Sequence, residues 1–266
     1  MHVRSPLDLV RSSCVCVVIA TASLASASAN SSPRLKHNRA TDAEIASALA
    51  SLESKLAEER ESAKWATAAR LPLWDFARQW QTRTLTPAQE ARIVARVTAM
   101  GRPHPSGRGA VQRALYMITA LAVGKTAPDI TGRDLEGAAF RLTDFRGKVV
   151  TLIFSGDWCG ICRSDYPFTK QLLVRFGTAP VVVLGVDSSA DLGAAKRIKR
   201  EHGLDYRSWW DGHGESNRRG PIATTWNVVG WPTVYVIDPQ GIIRFVDVRR
   251  DLLIEAVGQL VTEDGR

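Results

Sequence analysis

The chain has 266 residues, 45% of them in the AVILMFWYC set and 23% charged, with 20 glycines, 12 prolines, four cysteines and a formal charge of +8. These proportions exclude a collagen-like, mucin-like or disulfide-dense chain and leave hydrophobic burial to hold together one or two domains. The positive charge is dispersed apart from Lys196, Arg197, Lys199 and Arg200 on one predicted helix, which reads as a solvated face, so no nucleic-acid partner is expected.

The opening segment, 1–29, reads as a signal peptide. Arg4 and Arg11 make a short basic start, Cys14 to Leu24 is apolar or small, and Ala27-Ser28-Ala29 fits a signal-peptidase site, so cleavage is expected after Ala29. The apolar run is shorter than the roughly 20 residues of a membrane-spanning helix, and the mature chain is expected not to span a membrane. Cleavage removes two of the 35 basic and one of the 27 acidic residues, which leaves +7. It also removes Cys14 and Cys16. Cys159 and Cys162 are then the whole thiol inventory of a protein exported to the periplasm or another extracytoplasmic compartment, where disulfides persist.

Residues 30–40 are polar and basic and read as a linker. A helix is predicted over 41–70, opened by a capping box of Thr41 and Glu44 and striped by Ile45, Leu49, Leu52 and Leu56. Thr86, Pro87 and Gln89 open a second helix with Ile93, Val94, Val97 and Met100 on its apolar face. Gly101-Arg102-Pro103 stops it, and Val111, Leu115, Ile118 and Ala122 mark a third. The helical region 41–123 carries no readable chemical motif.

From Gly124 onward the texture is α/β. Val149 to Phe154 is a nearly continuous apolar run, as expected of a strand buried on both faces. A helix over 160–175 containing Pro167, then a strand over 181–186, complete a parallel crossover unit. A helix over 190–202 follows, with a short strand near 206–209, a polar loop over 211–220 and a short helix from Pro221. Strands 233–237 and 242–248 form a hairpin around the turn Asp238-Pro239-Gln240-Gly241, and a helix over 250–262 closes the chain.

Trp158-Cys159-Gly160-Ile161-Cys162 lies where the buried strand gives way to the helix, the end of an open α/β sheet at which ligands collect. A helix beginning at Cys159 sets its sulfur beside unpaired N–H groups and the positive end of the helix dipole, which predicts a depressed pKa and a nucleophilic sulfur. Cys162, one turn further in, is the resolving thiol. A structural disulfide across one helical turn removes little chain entropy. Zinc needs about four ligands, and no second Cys pair or suitably spaced His pair accompanies this one. No metal and no cofactor is expected.

The region from Gly124 resembles the TlpA/ResA family of exported thiol-disulfide oxidoreductases, within the thioredoxin-like superfamily and related to the AhpC/TSA redoxins. The resemblance rests on Val123-Gly124-Lys125-Thr126-Ala127-Pro128, on Leu142 to Val150, on the Trp-Cys-Gly-Ile-Cys motif, on Pro167 and on Gly230-Trp231-Pro232-Thr233. It implies a thioredoxin-like redox domain over 124–266 behind the helical region. It also implies a cis Pro232 facing the Cys pair, with the Trp231 backbone offered as an edge to an extended substrate and Trp158 walling the same surface. Protein or peptide thiols and disulfides are the implied substrates, with apocytochrome c as the family-level client. Thioredoxin has a buried acid at the position of Ile153, so Asp187 or Asp157 is the expected proton-transfer group. Ser155 stands where relatives have an aromatic residue, and Ile161 replaces a common proline between the cysteines. A reducing or intermediate potential is expected.

Two other functions compete. A peroxiredoxin-like peroxidase wants Pro and Thr or Ser seven and three residues before the reactive cysteine, where this chain has Leu152 and Gly156. A Sco-like copper carrier wants a wider Cys spacing and a later His, and none follows His213.

Overall fold

The computed structural model describes residues 35, 38–58, 69–103, 105–212 and 219–264. The expected signal peptide, with Cys14 and Cys16, lies outside the described residues, as do most of the linker, residues 59–68 and the centre of the 211–220 loop. The described residues belong to one unit, Leu35–Arg266.

Helix α1, Asp42–Glu58, starts at the predicted capping box: the Glu44 N–H donates to Thr41 Oγ1 at 3.2 Å and the Thr41 N–H to the Glu44 carboxylate at 2.8 Å. Of the helix expected over 41–70, residues 42–58 are helical and 59–68 lie outside the described residues; a further helix, α2, runs over Arg70–Gln81. Leu73, Phe76, Ala77 and Trp80 are its buried stripe, and Pro72 is tolerated because it sits in the first turn, where no intrahelical donor is lost. Helix α3, Pro87–Gly101, has the predicted Thr86/Gln89 box. Helix α4, Arg108–Thr119, begins three residues before Val111 and stops short of Ala122 and Gly124, to which it was expected to run. The four helices share a core built on Ile45, Leu73, Trp80, Ile93, Val97 and Ile118.

A small antiparallel pair that the sequence reading did not isolate follows, β1 (Thr131–Arg133) and β2 (Ala139–Arg141), each three residues long. The main sheet holds β3 (Val149–Ser155), β4 (Val181–Asp187), β5 (Arg207–Trp210), β6 (Thr233–Ile237) and β7 (Ile243–Val246) in the order β5-β4-β3-β6-β7. Strands β3, β4 and β5 are mutually parallel, through crossovers by α5 (Gly160–Arg175) and α6 (Leu192–His202). β6 and β7 run antiparallel, as the predicted hairpin, with the Gly241 N–H closing the turn onto Asp238 O at 2.8 Å. Gly241 holds φ of +85°, which glycine adopts without steric cost. The short helix α7 (Pro221–Thr225) and the terminal helix α8 (Asp251–Asp264) complete the fold.

Every residue of β3 is buried, as the apolar run requires. Successive side chains alternate between two cores. Leu152 and Phe154 join Val186, Trp209, Trp226 and Tyr235 on one face; Val149 and Ile153 join Leu172, Val236, Leu253 and Val257 on the other, against α5 and α8. Trp209 is fully buried and stacks on Phe140 at 3.9 Å, whereas Trp210 is 41% exposed. The helical region is tied to the sheet by Gln81, whose amide donates to Leu121 O and to the Tyr235 hydroxyl, both at 3.0 Å, and by an Arg78–Asp247 ion pair at 3.0 Å.

Candidate active site

β3 delivers the chain to the C-terminal edge of the sheet, and Cys159 is the N-cap of α5. Its Sγ accepts the Cys162 N–H at 3.1 Å, filling one of the donor positions a helix start leaves open. The two cysteines are disulfide-bonded, with Cα atoms 5.2 Å apart. Both are nearly covered, at 5% exposure for Cys159 and 2% for Cys162.

The other expected site residues surround the pair. A Cβ at Gly156 would lie 2.7 Å from Trp158 Nε1, so glycine is what lets the Trp158 ring fold back, where it donates to Ser188 O at 3.1 Å. Trp158 and Trp231 meet edge to face, with ring centroids 5.1 Å apart. Trp231 packs on the cluster of Cys159, Cys162, Tyr166 and Leu204, and its peptide bond to Pro232 is cis. Pro232 and Cys162 line one cavity of about 20 Å³, together with Ser155, Asp165, Tyr166 and Tyr206. That is room for about one water molecule.

Asp187, at the end of β4, is buried and accepts the Ser189 N–H at 2.9 Å. Burial raises its pKa, against the opposing pull of the Ser189 hydrogen bonds and the Lys199 charge. Asp157 is half-buried; its N–H donates to Ser189 Oγ at 3.0 Å and its carbonyl accepts from Arg163. Neither carboxylate lines the cavity beside Cys162.

Asp165 does, and the sequence reading missed it. Its carboxylate is held by Arg249 at 2.6 Å and Arg250 at 3.1 Å. The available signal was helical spacing: Cys162, Asp165, Tyr166 and Thr169 recur at three, four and seven residues and so share one face of α5. With Ile153 apolar and also lining this cavity, the carboxylate near the buried cysteine comes from the helix and not from the strand.

Behind the cavity, Lys199 of α6 extends its ammonium over the Tyr206 ring, 3.7 Å from the centroid, and donates to Tyr206 O and to Ser208 Oγ, the latter at 2.8 Å. Burial pulls its pKa down to about 8, against the opposing charges of Asp187, Glu136 and Asp205. Tyr166 is pushed up to about 12, chiefly by burial, and Tyr206 is raised for the same reason.

The AhpC/TSA family model matches residues 123–246, a span that includes the Cys pair, Trp231 and Pro232. The thiol-disulfide oxidoreductase ResA of Geobacillus thermodenitrificans is 33% identical over 126 residues, covering 47% of this chain and 69% of that protein. ResA of Bacillus subtilis is 25% identical over 122 residues, covering 46% of this chain and 65% of its own length. Among solved structures, the thioredoxin domain of a thiol-disulfide oxidoreductase from Bacteroides vulgatus superposes with a TM-score of 0.48 at 27% identity, covering 53% of this chain and 99% of that one. By its likeness to the Geobacillus protein, of which it covers more than two thirds, this chain belongs to the ResA family of thiol-disulfide oxidoreductases, enzymes of thioredoxin-like fold.

Proposed function

We propose that the protein is an exported protein-disulfide reductase in which Cys159 attacks the client and Cys162 resolves the product. In the reduced enzyme the Cys159 thiolate displaces one client sulfur as a thiolate and forms a mixed disulfide. Cys162 then attacks the Cys159 sulfur, releases the second client thiolate and regenerates the Cys159–Cys162 disulfide. Two electrons pass from enzyme to client. The observation that carries this reading is the placement of that disulfide, at the first turn of α5 and beside the cis Trp231–Pro232 bond.

The Trp231 backbone next to Pro232 is the edge on which an extended client segment lies, and Trp158 bounds it. Asp165 is the carboxylate best placed to take the Cys162 proton, across the one-water cavity they share. Asp187 and Asp157, at the ends of β4 and β3, are the alternative acceptors. Clients are protein or peptide disulfides, apocytochrome c among them. Export rests on the 1–29 segment, and no helix among the described residues is long and apolar enough to cross a membrane.

The test is reduction of insulin disulfides with dithiothreitol. Wild-type turnover well above that of Cys159→Ala is expected; equal rates would overturn the reading. Cys162→Ala should accumulate a mixed disulfide on Cys159, and N-terminal sequencing of the exported protein should begin at Asn30.

A further inference from the structure

We infer that the surface where α2 and α4 meet the 227–230 loop is a docking site for an acidic stretch of the client polypeptide, recognised by Arg70, Arg113 and Arg219. The inference rests on the reductase reading above, since it assigns a substrate class to that site.

Arg70 of α2 and Arg113 of α4 line one small cavity with Trp74, Met117, Asn227 and Val229, and no acidic residue lines it. Both arginines are exposed. Arg219 reaches the same loop, where its guanidinium donates to Val228 O at 3.4 Å. Burial and then repulsion from Arg70 and Arg113 lower the Arg219 pKa, so the three cations feel one another. None of the three has an ion pair among the described residues, whereas Arg78, on the same helix as Arg70, is paired with Asp247. Three guanidinium groups gathered without a carboxylate among the described residues make a local positive field, whose natural complement is an anionic segment.

The loop is held against the helices: the Asn227 side-chain amide donates to Arg113 O at 3.4 Å, and Asn227 holds φ of +50°, which asparagine tolerates better than most residues. It then runs through exposed Gly230 directly into Trp231 and Pro232. A client strand on the Trp231 edge therefore continues onto the arginine surface. From Pro232 back to Val229 is three residues, roughly 10 Å of extended chain. The acidic residues selected should thus sit about three to five positions from the client cysteine. The helical region, which carries no redox chemistry, acquires a role as one wall of the substrate groove.

The experiment uses the full mature chain and three disulfide-linked fluorogenic peptides that differ only four residues from the cysteine, where they carry Glu-Glu, Gln-Gln or Lys-Lys. Wild-type kcat/KM is expected to follow Glu, then Gln, then Lys. The Glu to Gln ratio should be about tenfold, equivalent to about 1.4 kcal/mol, and should shrink as salt rises. In Arg70→Gln/Arg113→Gln that ratio should fall to about one. A ratio does not depend on the fraction of active enzyme, so partial misfolding cannot imitate the result, and Arg219→Gln supplies a second variant if the first does not fold. Equal kcat/KM for the three peptides with the wild type, or an unchanged ratio in the variants, overturns the inference. So does charge-dependent binding to phosphatidylglycerol vesicles without any peptide preference, which would assign the surface to membranes. Absence of turnover on all three peptides would instead defeat the reductase reading itself.

Discussion

Replacing Lys199 with Met removes a half-buried charge while keeping a flexible apolar stem over Tyr206. The folded pKa of Lys199 is about 8, against 10.5 when solvated. Because the folded value is depressed, the folded state releases its proton first as pH rises, so the unfolded state binds more protons between the two values and wild-type stability rises with pH there. The contribution is complete above 10.5 and is lost as pH falls through 8. At 1.36 kcal/mol per unit, the two pKa values give a gain of about 2 kcal/mol between pH 7 and 9.5. Lys199→Met should lack this slope, whatever constant offset follows from its lost bonds to Tyr206 O and Ser208 Oγ. Urea unfolding of the oxidised protein at half-unit steps, wild type against variant, reads the difference. The window stays below the ordinary tyrosine pKa of 10, so the buried tyrosines, whose raised values act in the opposite sense, contribute little. Parallel pH profiles for the two proteins would refute the assignment of a half-buried, partly desolvated ammonium behind the active site.

Asp165→Asn should slow resolution of the mixed disulfide by roughly 10²-fold, the lower end for general acid–base catalysis, seen as its accumulation by quenched-flow mass spectrometry. An unchanged rate would return the role to Asp187 or Asp157. Trp209→Ala deletes a fully buried ring stacked on Phe140 and should cost about 3–5 kcal/mol in denaturant unfolding. Gly220→Ala would set a Cβ 1.6 Å from Asp211 O, pushing Asp211 away from the Ile222 and Ala223 N–H groups it accepts at the start of α7. A loss near the top of the roughly 1–3 kcal/mol overpacking range is expected from thermal melts. Thr86→Ala removes the side-chain acceptor of the Gln89 N–H and should cost about 1 kcal/mol.

Local signals carried the sequence reading a long way. The Thr41/Glu44 and Thr86/Gln89 boxes start α1 and α3 because capping needs only residues three apart. The apolar run at 149–154 became the central strand because burial on both faces leaves no room for a polar side. The Cys pair was legible for the same reason, since both thiols lie on one helical turn. Where the reading fell short, the cause was non-local. β1 and β2 are three residues each, too short for a period to register, and Phe140 is held there by stacking on Trp209 of the main sheet. The buried stripe of α2, Leu73, Phe76, Ala77 and Trp80, becomes decisive only once the neighbouring helices are packed against it.

The sequence by itself determined the chemistry: two thiols three residues apart at a strand-to-helix junction, and a proline after Trp231 whose pairing with them followed from family resemblance. Only the tertiary structure decided which charges surround that chemistry. Asp165 is far in the chain from Arg249 and Arg250, Lys199 and Asp187 sit on different elements, and Arg70, Arg113 and Arg219 are widely separated. Whether such groups attract, repel or desolvate one another depends on separations of a few ångströms set by how α2, α4, α5 and α6 lie against the rest of the fold. No periodicity in the chain encodes those separations.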